Sequence, residues 1–240
     1  MYRNLSPKLL GVIARQSELI ELVLTYQFRG LDIDMEDTIR RAESGGVPGA
    51  TCFLKSGGVE VGTFELPTRI GGAETDFHIF LTKLPLLTEL CGELNAKLAV
   101  VTLPPDSDQY SFQENFELYC GRLTTIATEL EKHGVRVGLA LSAAHDIRDS
   151  SNYEFVVKVD QLLAIQQTVG LNVGIILDTW DWFVGGGTIE GIQALTREQI
   201  AAVRVSDLPA DVDIATANSV DHILPARRGQ LPLDEVIAHL

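Results

Sequence analysis

The residues best suited to chemistry in this 240-residue chain are carboxylates and one arginine that close short apolar runs. Asp32 and Asp34 lie in Leu31–Met35, Glu65 follows Phe64, Thr102 and Ser142 close two further runs, Asp178 follows Val173-Gly174-Ile175-Ile176-Leu177, and Arg204 stands with Asp207 at the last. A positioned carboxylate can bind hydroxyl groups or move a proton, and a guanidinium grips a carboxylate or phosphate through its bidentate fork. The densest stretch is at Asp178, where Trp180, Asp181, Trp182 and Gly185-Gly186-Gly187 follow at once. They offer apolar walls, a second charge and a flexible loop for a small-molecule site. The same residues also read as a strand-end aspartate capping a helix, with two packed tryptophans. The three glycines before Thr188 either present backbone N–H groups to a phosphate or simply connect two elements.

Positioning such groups requires strands whose C-terminal ends face a common site. The run 173–177 shows no clean alternation, as expected for a strand covered by helices on both faces. Further strands are predicted at Leu9–Ile13, Leu31–Met35, Val59–Leu66, Lys97–Leu103, Val135–Leu141 and Ile200–Ser206. Helical patterns lie between them. One runs from Ser17 to Gly30. Another, 36–57, is divided near Gly45, Gly46 and Pro48, and 76–94 is broken at Pro85. Ser111 with Glu114 forms a capping box that opens a helix bearing Phe112, Phe116, Tyr119, Leu123, Ile126 and Leu130 on one face. Ser151 with Glu154 suggests a second box, opening a helix that runs to Gly170. Shorter helices start at Thr188 and Leu233. Strand starts recur at roughly 30–40-residue intervals from the second strand on, as in consecutive parallel βα units. The fold class expected is α/β and TIM-barrel-like, with seven strands visible and ligand-binding groups at their C-terminal ends.

Composition narrows the partners. Hydrophobic residues make up 45% of the chain, enough for one large α/β core, and no linker or low-complexity tract divides it. A net charge of −14 and a pI near 4.7 argue against nucleic acid and against an anionic membrane surface. Neither GxGxxG after a first strand nor GxxxxGK[ST] occurs, which leaves nucleotide binding without its usual motif. Cys52, Cys91 and Cys120 are odd in number and scattered through apolar stretches, so they read as buried thiols of a cytoplasmic protein. His78, His133, His222 and His239 form no ligand spacing and read as surface residues. His145 reads either as a substitute acid or base or as a solvated loop residue.

Four segments together resemble a known family. Gly30-Leu31-Asp32-Ile33-Asp34, Val61-Gly62-Thr63-Phe64-Glu65-Leu66-Pro67, Leu177-Asp178-Thr179-Trp180 and Val203-Arg204-Val205-Ser206-Asp207 are similar, in order, to the strand motifs of the xylose isomerase-like TIM barrels. These are the sugar and sugar-phosphate isomerases and epimerases. The resemblance implies a divalent ion, Mn²⁺, Mg²⁺, Co²⁺ or Zn²⁺, held by Glu on strand five, Asp on strand six, His on strand seven and Glu on strand eight. It also implies that the two glutamates shuttle a proton between adjacent sugar carbons while the metal polarises the oxygens. Matched residue by residue, Asp178 is the one surviving ligand. Ala140 stands at the strand-five glutamate, Arg204 at the strand-seven histidine and Asp181 at the family's second histidine. A fixed guanidinium charge repels a divalent cation, so the substitutions imply that no metal is held.

The resulting expectation is a single domain over 1–240, C-terminally truncated before an eighth strand, with an open edge that a homo-oligomer can cover. Its function is isomerase- or epimerase-like with lost or altered metal-dependent activity, a pseudoenzyme in the first case. The alternative is a non-catalytic binding or regulatory protein for a sugar or small anion. Glu65 and Asp178 are the candidate catalytic carboxylates, and Trp180, Asp181, Trp182, Arg204 and Asp207 the candidate substrate-binding residues. Arg204 is expected either to pair with Asp178 or Asp181 or to grip an anionic ligand.

Overall fold

A computed structural model describes residues 2–148, 151–170, 172–225 and 229–240. The chain forms two compact units, Met1–Val100 with Thr128–Arg136, and Val101–Ala127 with Val137–Leu240.

In the first unit, β1 (Asn4–Leu5), β2 (Gly30–Ile33), β3 (Glu60–Glu65) and β4 (Leu98–Thr102), whose last two residues belong to the second unit, pair in parallel and in chain order. Helices α1 (Gln16–Thr25), α2 (Met35–Gly57) and α3 (Glu74–Leu94) alternate with them. Leu31, Val61, Phe64 and Val100 are buried and hold the strands to the core. Asp34 caps α2 by accepting the Asp37 N–H at 2.9 Å, and Glu36 and Asp37 complement the helix dipole in its first turn. Gly46, at φ 77°, divides α2 as expected, with Pro48 opening the second piece.

Two expectations fail here. Leu9–Ile13 is no strand: the Leu10 and Val12 amides bond back to the Pro7 carbonyl, so a turn consumes its backbone, and its four large apolar side chains are exposed. Pro85 does not interrupt α3. Proline removes one intrahelical hydrogen bond, but buried Leu84, Leu87, Leu90 and Cys91 hold the helix through that point.

The second unit carries β5 (Arg136–Ala140), whose first residue belongs to the other unit, then β6 (Val173–Asp178) and β7 (Ile200–Arg204), again parallel and in chain order. All six residues of β6 are buried, as its unbroken apolar run predicts. Its helices are most of α4 (Phe112–Glu131), then α5 (Val159–Val169), α6 (Thr179–Val184), α7 (Ile189–Ala194) and α8 (Leu233–His239). The first capping box forms: the Ser111 N–H donates to Glu114 Oε2 at 2.9 Å and its hydroxyl at 2.7 Å. The second does not. Tyr153–Glu154 instead pairs antiparallel with Asp106–Ser107, and α5 starts only at Val159. The cause is packing, since Phe155, Val156 and Val157 are fully buried and the Phe155 ring lies 5.0 Å from that of Tyr119. Extended backbone is required there, and the Phe155 amide bonds the Pro105 carbonyl at 2.7 Å.

Parallel strands alternating with helices give the TIM-barrel-like α/β fold expected. Cys91 and Cys120 are buried, whereas Cys52 is exposed, contrary to its expected burial. Burial pushes the Cys91 thiol up to about 12, so it is inert at neutral pH. Among the described residues, no helix is long and apolar enough to cross a membrane.

Candidate functional site at the ends of β6 and β7

Strands β6 and β7 bring Asp178 and Arg204 opposite one another at their C-terminal ends. The register shifts between Ile175 and Ile176, so that Ile175 pairs with Ile200 and Ile176 with Ala202. The extra residue in β7 sets this alignment.

Asp178 ends its strand and caps α6 at once. Its Oδ1 accepts the Trp180 N–H at 3.0 Å, the Asp181 N–H at 3.4 Å and the Ser206 hydroxyl at 2.7 Å. At 7% exposure, such a carboxylate needs these donors to offset its desolvation. Thr179 and Ser206 form a second clasp: the Thr179 hydroxyl donates to the Ser206 carbonyl at 2.6 Å and accepts the Ser206 amide at 2.9 Å.

His222, read from sequence as a surface residue, belongs to this cluster. Its Nε2 lies 3.6 Å from Asp178 Oδ1, and its ring stacks on Trp180 with centroids 5.0 Å apart and planes 17° apart. The Trp180 indole N–H donates to the Asp221 carbonyl at 3.1 Å, which fixes the loop that carries the imidazole. No spacing motif links position 222 to 178, so only the fold reveals the pairing.

The tryptophans serve as posts rather than open walls. Trp180 is 1% and Trp182 3% exposed, and the Trp182 indole N–H donates to the Thr188 carbonyl at 3.0 Å. The glycine run is an ordered helix end. The amides of Gly185, Gly186 and Gly187 donate to the carbonyls of Asp181, Phe183 and Trp182, so they are already engaged and do not face a phosphate.

Asp181 is half-buried, with its carboxylate accepting the Ala143 N–H at 2.8 Å. Burial, then the neighbouring charge of Asp178, push its carboxyl up to about 7, against the opposing pull of the Ala143 amide and Arg204. Arg204 is half-buried and, among the described residues, in no ion pair within 4 Å. The expected contact with Asp178 or Asp181 is therefore replaced by an electrostatic influence across space.

Asp207 is an anchor. It is 2% exposed, and its Oδ1 accepts the Leu208 and Leu231 amides at 2.8 and 3.2 Å. Gly229 packs on the same carboxylate so closely that a Cβ there would fall 1.6 Å from Oδ2. Glu65 lies in the first unit, exposed at the end of β3 and paired with Lys8 at 2.5 Å. In that unit Asp32 is held by Asn4 at 2.6 Å, by the Thr63 amide at 2.7 Å and by the Ser6 hydroxyl.

The donor set does not fit a divalent metal. Ala140 ends β5 with a buried methyl group, Arg204 brings a fixed positive charge, and Asp178 Oδ1 already receives three donors. Among the described residues, no three His, Cys, Asp or Glu side chains come together to hold an ion.

Comparison with known proteins agrees with the fold. Residues 53–240 match the family model for the xylose isomerase-like TIM barrel. No curated protein matches the chain. Among solved structures, a xylose isomerase domain protein from Alicyclobacillus acidocaldarius subsp. acidocaldarius superposes with a TM-score of 0.85 at 24% identity, covering 100% of this chain and 84% of that one. An IolI protein with a bound zinc atom gives 0.79 at 17% identity, with coverage of 100% and 84%. A D-tagatose 3-epimerase-like protein gives 0.73 at 17% identity, with coverage of 100% and 86%.

Proposed function

This chain belongs to the xylose isomerase-like TIM barrel family, and on that premise we propose that it is an isomerase- or epimerase-like barrel that recognises a sugar or sugar phosphate without a divalent ion. The metal-dependent activity of the family is then lost or altered. The observation that carries this reading is Arg204, a cation free of ion pairing within 4 Å among the described residues, at the strand position opposite Asp178. A guanidinium so placed supplies positive charge to an anionic or polyhydroxylated ligand and repels a metal. Hydroxyl groups of a sugar find complementary partners in Asp181 and in the exposed part of His222.

The test is calorimetric titration with Mn²⁺ and with Zn²⁺, together with metal analysis of the purified chain. No stoichiometric binding is expected at concentrations up to about 1 mM, since one carboxylate beside an arginine makes a poor ligand set. Stoichiometric micromolar binding that disappears in Asp178→Asn would overturn the proposal.

A second reading, catalysis retained in altered form, draws on Asp181. A half-buried carboxyl pushed up to about 7 exchanges its proton near neutrality, the property required of a general acid or base in enediolate chemistry. Without such a group the protein is a non-catalytic binder of a carbohydrate or small anion.

A further inference from the structure

The Asp178 cluster is covered by one stretch of the second unit, residues 213–222, which few contacts hold in place. We propose that this stretch is a strap that opens and closes the site as one piece, latched by Asp146 to Ser219, and that a ligand reaches Trp180 and Asp178 when the strap lifts His222 away. The inference deepens the sugar-recognition reading, and the identity of the ligand rests on that reading.

What the strap covers is the first argument. The His222 ring lies nearly flat on Trp180, with its Nε2 3.6 Å from Asp178 Oδ1, and the Trp180 indole N–H reaches back to the Asp221 carbonyl at 3.1 Å. Closed in this way, Trp180 and Asp178 are both buried. A near-parallel imidazole takes the indole face on which the C–H groups of a sugar ring would stack, so the closed strap and such a ligand exclude one another. Once displaced, the imidazole is free to hydrogen-bond a ligand hydroxyl from the side.

How the strap is built is the second. Its two ends are pinned. Gln230 Nε2 donates to the Pro209 and Val212 carbonyls at 2.7 and 2.6 Å, and Ile223 exchanges both backbone bonds with Asp207, at 2.8 and 3.0 Å. Between the pins lie two 3-10 turns, Ile214–Thr216 and Ser219–Asp221, each closed on itself. Asp213 accepts the Ala215 N–H at 3.0 Å in the first, and Asp221 the Asn218 N–H at 2.9 Å in the second. Bonds internal to a turn survive when the turn moves. Ala217 is buried, while the rest of 213–222 is half-buried or exposed, so opening uncovers little apolar surface and costs little.

The latch is the third. The Ser219 amide and hydroxyl both donate to Asp146 Oδ1, at 2.8 and 3.0 Å, across 73 positions of sequence. Beside them the His145 N–H donates to the Ala217 carbonyl at 3.0 Å. Asp146 and His145 belong to one 3-10 turn beyond β5, His145–Ile147, which therefore grips the middle of the strap. Hydrogen bonds to a carboxylate are stronger than neutral ones, yet Asp146 is exposed and water competes for it. Such an attachment holds the strap down and releases it without unfolding the unit.

Oxidation of the full chain with dilute N-bromosuccinimide, resolved at each tryptophan by mass spectrometry, tests the strap with no ligand present. Trp180 lies beneath it, and Trp182, whose indole is bonded to Thr188 instead, is the internal reference. Reaction at a covered ring follows the open population. Asp146→Ala should speed oxidation of Trp180 about tenfold, for two lost hydrogen bonds, and Ser219→Ala about threefold, for one, with Trp182 unchanged. His222→Ala should speed it too, by baring the indole face with the latch intact. The inference is overturned if Trp180 reacts in both latch variants as in the parent, or if His222→Ala leaves it unchanged. It is also overturned if both tryptophans accelerate together, because the unit then unfolds instead of the strap lifting. D-Fructose 6-phosphate separates the strap from the reading beneath it: protection of Trp180 in Asp146→Ala is expected. A raised Trp180 rate that the sugar phosphate does not lower would uphold the strap and count against sugar recognition.

Discussion

Asp181 is where a single side chain decides the most. Its carboxyl, pushed up to about 7 by burial and by Asp178, holds a proton in the folded chain over a range in which the unfolded chain has released it. Between about pH 4 and 7 the native state therefore binds more protons, stability falls as pH rises through that window, and above about 7 the loss is complete. Asp181→Asn keeps an oxygen for the Ala143 amide but carries no charge. Its melting temperature should match the parent near pH 4 and exceed it at pH 8, by an amount on the order of a few kcal/mol in stability. Parallel melting curves across that range would show that Asp181 titrates as an ordinary carboxylate and would remove the basis for proton transfer there. The sequence made Asp181 visible as a candidate but gave no sign of this shift. The shift arises mainly from burial, which only folding supplies, with the charge of Asp178 added to it, and folding also brings near the two groups that oppose it, the Ala143 amide and Arg204. His222 is the sharper case, because stacking on Trp180 is a property of the loop path and not of any local pattern.

At the level of elements, the sequence was most informative where one local force dominates. The apolar run of β6, the Ser111–Glu114 cap and the divided α2 follow from periodicity, capping chemistry and glycine geometry. It misled where burial overrides a local signal, as at Ser151–Glu154, where Phe155–Val157 must lie extended in the core, and at Pro85 inside α3. The glycine run after α6 shows both sides. Its residues were legible as a connection, yet Gly187 is there because the Trp182 indole fills the space beside it, with Nε1 2.4 Å from where a Cβ would stand. Gly186, by contrast, has φ 82° and open space around it. Gly187→Ala should therefore destabilise by about 1–3 kcal/mol through overpacking, and Gly186→Ala by about 1 kcal/mol through backbone strain alone. Chemical denaturation of both variants checks the order. If Gly187→Ala proves the milder of the two, the ring does not pin the end of α6 as described. The consequence reaches the site, since α6 carries both Trp180, on which His222 stacks, and Asp181.

At the scale of the whole molecule the governing quantity is charge. Lys and Arg number 19 against 33 Asp and Glu, and this excess reads directly from composition. Much of it lies on exposed side chains, where pairs such as Lys8–Glu65 and Arg29–Glu60 neutralise only a part. Self-repulsion of a chain at −14 opposes compaction, because unfolding moves like charges apart. Salt screens that repulsion, with a Debye length falling from about 30 Å at 0.01 M to about 10 Å at 0.1 M. It also weakens the exposed ion pairs, but these contribute only about 0–1 kcal/mol each. Repulsion summed over the molecule outweighs them, so the melting temperature at pH 8 should rise by several degrees between about 0.01 and 0.3 M NaCl, most steeply at the low end. A melting temperature that falls with NaCl would mean that the specific pairs, and not the net charge, dominate the electrostatics of this fold.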